Sequence, residues 1–266
     1  MRIYRRPARF LPVFGLVLLA VAAPVRADFT TLDLTLVPAT AQYNTVDLSV
    51  EIEASGSSVS DDDTSTLTGN VLAEITYTAA PAAYEADVTG LEFTGGRVAF
   101  SDVAFYLSFG ILGSISADGT SLAGYPNTPV PPGTVTGIQF PADQHEFVLN
   151  EGVFNIEGNG FVGGLLDPNP MVFDLASDPI SGTTAGDGTL EVSSPTIIGD
   201  LATYDVTLTM PVALDEEVYN DGSIAASVVA SGTLRAAGQF THPVPEPATL
   251  LLVLAGAAAL RLRRRR

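Results

Sequence analysis

The sequence predicts an all-β fold, an antiparallel β-sandwich or barrel-like body, on three observations. Apolar residues recur at every second position in many short runs, and small turn-forming clusters separate those runs. No stretch between residues 28 and 242 keeps a 3.6-residue period with helix caps. Alternation at period two puts one set of side chains on one face of a pleated strand. Enrichment in Thr, Val and aromatic residues suits a half-buried sheet.

Leu32, Leu34 and Leu36 begin the series, and Val46, Leu48, Val50 and Ile52 repeat it. Leu72 with Ile75-Thr76-Tyr77, Leu91-Glu92-Phe93, Val98-Ala99-Phe100, and Phe105 with Leu107 and Phe109 extend it. The second half adds Val135, Ile138 with Phe140, Phe147 with Leu149, Val153–Ile156 and Met171–Phe173. Leu190 with Val192, Tyr204–Leu208 and Ser227–Leu234 complete it. Gly95-Gly96, Asp118-Gly119, Gly158-Asn159-Gly160, Gly163-Gly164, Asp187-Gly188 and Asp221-Gly222 read as the turns between them. Tyr125 to Gly133 holds four prolines in nine residues, so an internal boundary is expected near residues 125–134. It reads as a linker between two smaller β domains or a loop across one. The two halves show no mutual similarity, which favours one domain.

Both ends carry targeting chemistry. Arg2, Arg5, Arg6 and Arg9 form a positive region, Leu11 to Ala23 an apolar one, and Val25-Arg26-Ala27 a small-residue cleavage site. Residues 1–27 are thus read as a signal peptide cut between Ala27 and Asp28. At the other end, Val244-Pro245-Glu246-Pro247 precedes an uncharged apolar run, Ala248–Leu260, and then Arg261, Arg263, Arg264, Arg265 and Arg266. The prolines hold the chain extended, and the run is a short transmembrane-helix candidate. The arginines stay on the cytoplasmic side by the positive-inside rule. At 13 residues the run is about 20 Å long as a helix. A full span needs about 17–25 residues, so snorkelling arginines or local thinning must close the gap.

In residue types and order, residues 243–266 resemble the PEP-CTERM sorting signal of envelope bacteria. The resemblance implies recognition and processing near the Pro-Glu-Pro box by an exosortase-like membrane transpeptidase. It also implies transient anchoring by the C-terminal helix and delivery to the cell surface or extracellular matrix. It concerns destination only and assigns no activity to residues 28–242.

The chain has no Cys, so disulfides and thiolate metal sites are unavailable. Only Arg97 and Arg235 of the 12 basic residues lie in residues 28–242, against 29 of the 30 acids, giving that body a net charge of −27. Such a surface excludes nucleic acid as a partner and repels anionic polysaccharide unless divalent cations bridge the two.

Candidate chemistry is sparse. Asp61-Asp62-Asp63 reads as an exposed acidic loop and a weak Ca²⁺ site, the one cofactor candidate, without the EF-hand spacing. Asp215-Glu216-Glu217 reads as a second acidic loop. Asp167-Pro168-Asn169-Pro170 and Asp178-Pro179 read as turn chemistry. His145 and His242 are the only histidines; His145 is expected at a surface or turn, with no Gly-x-Ser-x-Gly elbow to serve it. No catalytic residue is assigned. The favoured reading is a non-catalytic cell-surface or matrix protein, associated with extracellular polysaccharide or biofilm. The alternative is a Ca²⁺-dependent adhesive or polysaccharide-binding module, and a carboxylate-based hydrolase ranks third.

Overall fold

The computed structural model describes residues 27–54, 56–80, 85–183, 186–220, 222 and 224–243. The expected signal peptide up to residue 26, the sorting box Val244–Pro247, the apolar run and the arginine tail lie outside the described residues. No helix among the described residues is long and apolar enough to cross a membrane.

The alternating pattern becomes strand, and the protein is nearly all antiparallel β. In chain order the strands are β1 (Ala27–Leu36), β2 (Thr45–Ala54), β3 (Ser57–Ala80), β4 (Glu85–Phe100), β5 (Val103–Ser108), β6 (Gly113–Asn127), β7 (Gly133–Thr134) and β8 (Gln139–Pro141). They continue as β9 (Glu146–Asn159), β10 (Met171–Asp174), β11 (Ile180–Gly182), β12 (Asp187–Val192), β13 (Thr196–Ile198), β14 (Leu201–Asn220) and β15 (Ile224–Pro243). One α-helical turn, α1 (Gly160–Gly163), follows β9. All fifteen strands join one sheet whose main path is β10-β9-β6-β4-β3-β1-β15-β14-β12-β8.

β3 and β15 organise this sheet. The first half of β3 pairs with β2 and its second half with β1; β15 likewise pairs with β2 over Ile224–Gly232 and with β1 at Ala236–Ala237. Asn44 fills the gap between those two pairings. Its side-chain amide donates to the Val37 and Arg235 carbonyls at 2.6 and 2.8 Å, and its carbonyl accepts the Arg235 amide at 2.7 Å. A fully buried Asn is tolerated because both ends of its amide are satisfied.

The apolar faces turn inward as the period-two pattern requires. Leu32, Leu34, Val46, Leu48, Ile75, Leu91, Phe105, Leu107, Tyr204 and Leu208 are all buried in one continuous core. At one place Val50 and Ile52 of β2 and Val228 of β15 face Phe154 and Ile156 of β9 across a narrow apolar cleft. The sheet therefore folds back over its own inner face.

Leu72 departs from the expected pattern by pointing outward, because the inward set on β3 is Leu67, Val71, Ala73, Ile75 and Tyr77. The register of β3 against β4 slips just after it: Leu72 pairs with Gly95 and Ala73 with Phe93, leaving Thr94 as the extra residue on β4. Three expected turns lie inside strands: Gly95-Gly96 in β4, Asp118-Gly119 in β6 and Asp187-Gly188 in β12. At Gly188 a Cβ would collide with the Phe140 ring, so the residue serves close approach and not chain reversal. The other expected turns do end elements: Gly158–Gly160 closes β9, Gly164 caps α1, and Gly222, at φ 83°, lies between β14 and β15. The proline-rich stretch is stitched into the same sheet, with β6 before it and β7 after it both paired to β4.

Candidate processing end of the domain

β1 starts with Ala27 opposite Thr78 and Asp28 opposite Tyr77 of β3. β15 ends with His242 opposite Ala202 and Pro243 opposite Leu201 of β14. Antiparallel pairing through β3, β1, β15 and β14 thus brings the first and last described residues to the same end of the sheet. The expected cleavage pair, Ala27 and Asp28, and the last residue before the sorting box are neighbours in space.

Side chains close this end. The Tyr77 hydroxyl lies 3.0 Å from His242 Nδ1, and the Asp28 carboxylate lies 3.9 Å from the same nitrogen. Beneath them Tyr77 and Tyr204 flank Phe240, with ring centroids 5.0 and 4.8 Å away, the Tyr204 ring stacked on it. Burial, with smaller contributions from the Asp28 carboxylate and Tyr204, pushes the Tyr77 phenol above its ordinary value. Burial alone does the same for Tyr204. Tyr77 therefore keeps its proton at neutral pH and can donate it to His242. The arrangement is a clasp joining the two chain ends.

The acidic runs are placed differently from expectation. Asp61, Asp62 and Asp63 lie on β3, not on a loop. Asp61 accepts the Tyr106 amide at 2.7 Å and Asp63 the Ala104 amide at 2.9 Å. These carboxylates hold β5 beside β3 where no backbone ladder joins the two strands. Asp62 is on the outer face near Asp47, Ser49 and Thr64, in a shallow groove. Among the described residues no group of three or more His, Asp or Glu side chains converges on a point that could hold a metal. Asp215, Glu216 and Glu217 are likewise strand residues, exposed on β14. A sequence reading treats clustered acids as loops because they resist burial. Here Asp61 and Asp63 are half-buried with their carboxylates taken up by backbone amides, and Asp215 to Glu217 are all exposed, so neither strand buries an unpaired charge.

His145 is fully buried and not at the surface. It follows a short 3₁₀ turn, Ala142–Gln144, and its ring lies edge-on to Phe93 and Phe140 at 4.9 and 5.2 Å. Nδ1 bonds to Thr128 Oγ1 at 2.8 Å, and that oxygen also accepts the Phe93 amide at 2.8 Å. Nε2 has no hydrogen-bond partner among the described residues and faces Gly133, where a Cβ would come within 3.0 Å of it. Burial pulls the imidazole down to about 4, partly offset by the Asp143 carboxylate. Residues 167–170 are a bend, and the side chain that binds there is Asn169: its amide donates to the Gly158 and Gly163 carbonyls and its oxygen accepts the Gly158 amide.

No curated protein and no solved structure is similar to the chain. One family model matches, the PEP-CTERM protein-sorting motif, over residues 243–266. The match begins at Pro243, the residue with which β15 ends. The chain therefore carries a PEP-CTERM protein-sorting motif at its C-terminus, the mark of an exported protein held transiently in the membrane by that end and processed by an exosortase.

Proposed function

We propose that this is a non-catalytic protein of the bacterial cell surface or extracellular matrix. Its acidic β body is carried out behind a signal peptide, tethered by the C-terminal segment, then released or attached by an exosortase-like transpeptidase. The observation that supports this reading best is the clasp: Asp28, Tyr77 and His242 hold the two processing ends together. A body arranged in this way can be cut at both ends without opening its sheet. Both histidines have structural surroundings, one in the clasp and one in the core, which supports a non-catalytic role.

The test is the mass and location of the mature protein in its own host. A chain starting at Asp28 and ending within Val244–Pro247, found in the surface or medium fraction, is the expected result. An intact arginine-terminated chain in the inner membrane would overturn it. A second reading, Ca²⁺-assisted adhesion, has one observation in its favour, the outward groove with Asp47 and Asp62.

A further inference from the structure

We propose that the β13–β14 hairpin is a foot that rests in the lipid interface while the C-terminal segment is in the membrane. The hairpin is short: Thr196–Ile198 pairs with Leu201–Thr203, and Gly199-Asp200 makes the reversal. Three of its six tip residues are large aliphatics open to solvent, with Ile197 45%, Ile198 76% and Leu201 44% exposed. All three β13 residues are exposed. On a body with 29 acids, such a tip is poorly explained by solubility.

Its position names the occupant. Leu201 pairs with Pro243, where β15 ends and the sorting motif begins. β14 and β15 are antiparallel, so the Gly199-Asp200 reversal projects past Pro243 in the direction in which the chain leaves the sheet. From Pro243 to Ala248, the first residue of the apolar run, is five residue steps, at most about 18 Å fully extended. Each headgroup layer is about 5–8 Å thick, so the end of β15 stays within roughly 10 Å of the membrane surface. The hairpin tip, projecting further, reaches it.

Charge chooses the kind of surface. Arg97 and Arg235, the only cations of the body, pair opposite Asn70 and Thr209, away from this end. Asp28 and Asp200 are at it. Docking therefore rests on apolar burial and not on attraction to anionic lipid, and the matching surface is zwitterionic. The inference rests on the reading of residues 248–260 as membrane-inserted, so the experiment has to test the two separately.

The absence of cysteine permits single-site labelling of the full chain. Ile198→Cys, Ile111→Cys and Ala255→Cys are each labelled with an environment-sensitive fluorophore and reconstituted in phosphatidylcholine vesicles. Ile111 is fully exposed beyond β5, at the opposite end of β3. A nitroxide placed near the headgroups is expected to quench the Ile198 probe by about twofold or more and to leave the Ile111 probe unchanged. Adding Ile197→Ser and Leu201→Ser should abolish that quenching. Ala255 quenched by a deep nitroxide while Ile198 is untouched overturns the foot and leaves the tether reading standing. Neither probe quenched overturns the tether reading and the foot with it. A spectral shift at Ile198 that depends on protein concentration and not on lipid assigns the tip to a second copy and overturns the proposal.

Discussion

Tyr77 and His242, 165 residues apart in the chain, share a 3.0 Å hydrogen bond that ties the middle of the sheet to its last strand. We predict that Tyr77→Phe keeps the tilted ring contact with Phe240 but removes this bond, destabilising the body by about 0.5–1.5 kcal/mol. The loss should be local: limited proteolysis near residues 240–243 accelerates, while the Val46 and Leu48 amides keep their hydrogen-exchange protection. Uniform loss of protection would show that the bond holds more than the clasp.

His145 predicts a pH dependence. Its imidazole titrates near 4 in the folded state, below the ordinary 6.5, so the unfolded chain binds more protons between those values. The stability this group contributes is complete above pH 6.5 and falls as pH drops to about 4. The swing is on the order of 3 kcal/mol. Carboxylates titrate in part of the same range, so the measurement is a difference. The urea midpoint of His145→Phe should depend less on pH than that of the native protein, and identical slopes would refute the burial argument.

The three adjacent aspartates should behave unequally. Asp61→Ala and Asp63→Ala each strip an amide of its acceptor, costing about 0.5–1.5 kcal/mol and speeding exchange at Tyr106 or Ala104. Asp62→Ala, on the outer face, should fall within about 0.5 kcal/mol of the native protein. Because two of the three carboxylates already serve β5, millimolar Ca²⁺ is expected to leave the melting temperature unchanged. A rise with Ca²⁺ but not with Mg²⁺, lost in Asp62→Ala, would favour the Ca²⁺-dependent reading instead.

Gly188→Ala tests a residue whose sequence context resembles a turn. Its new methyl meets the Phe140 ring, which is confined by Phe93 and His145 and cannot swing away. The expected loss is about 1–3 kcal/mol in chemical denaturation. Gly199→Ala, with open space around the added carbon, tests only the backbone cost of its positive φ.

The strands were legible because alternation is a local property: Leu32, Leu34 and Leu36 declare their face within five residues. The sorting motif was legible for the same reason, being one contiguous stretch. What escaped depends on distant partners. Asp187-Gly188 has turn composition, yet Phe140, far away in sequence, requires the glycine. His145 becomes a core residue only because Thr128 supplies a hydrogen bond and Phe93 and Phe140 enclose the ring. Nothing within a few residues of it gives this away. Asn44 is the one case with a nearby signal, a polar residue just before a strand, but its partners on β15 are 191 residues on.

The placement of β15 sets a timetable. The last strand of the body sits inside the sheet, hydrogen-bonded to β1, β2 and β14, not along an edge. A chain threaded outward from its N-terminus can form β3 with β1 and β2 early, but that pair of strands waits for a neighbour about 170 to 200 residues away. The neighbour is complete only when Pro243 emerges, five residue steps ahead of the apolar run. In the reading proposed above, closure of the sheet and arrest in the bilayer therefore coincide, and the segment to be processed meets the membrane just as the body ahead of it becomes whole.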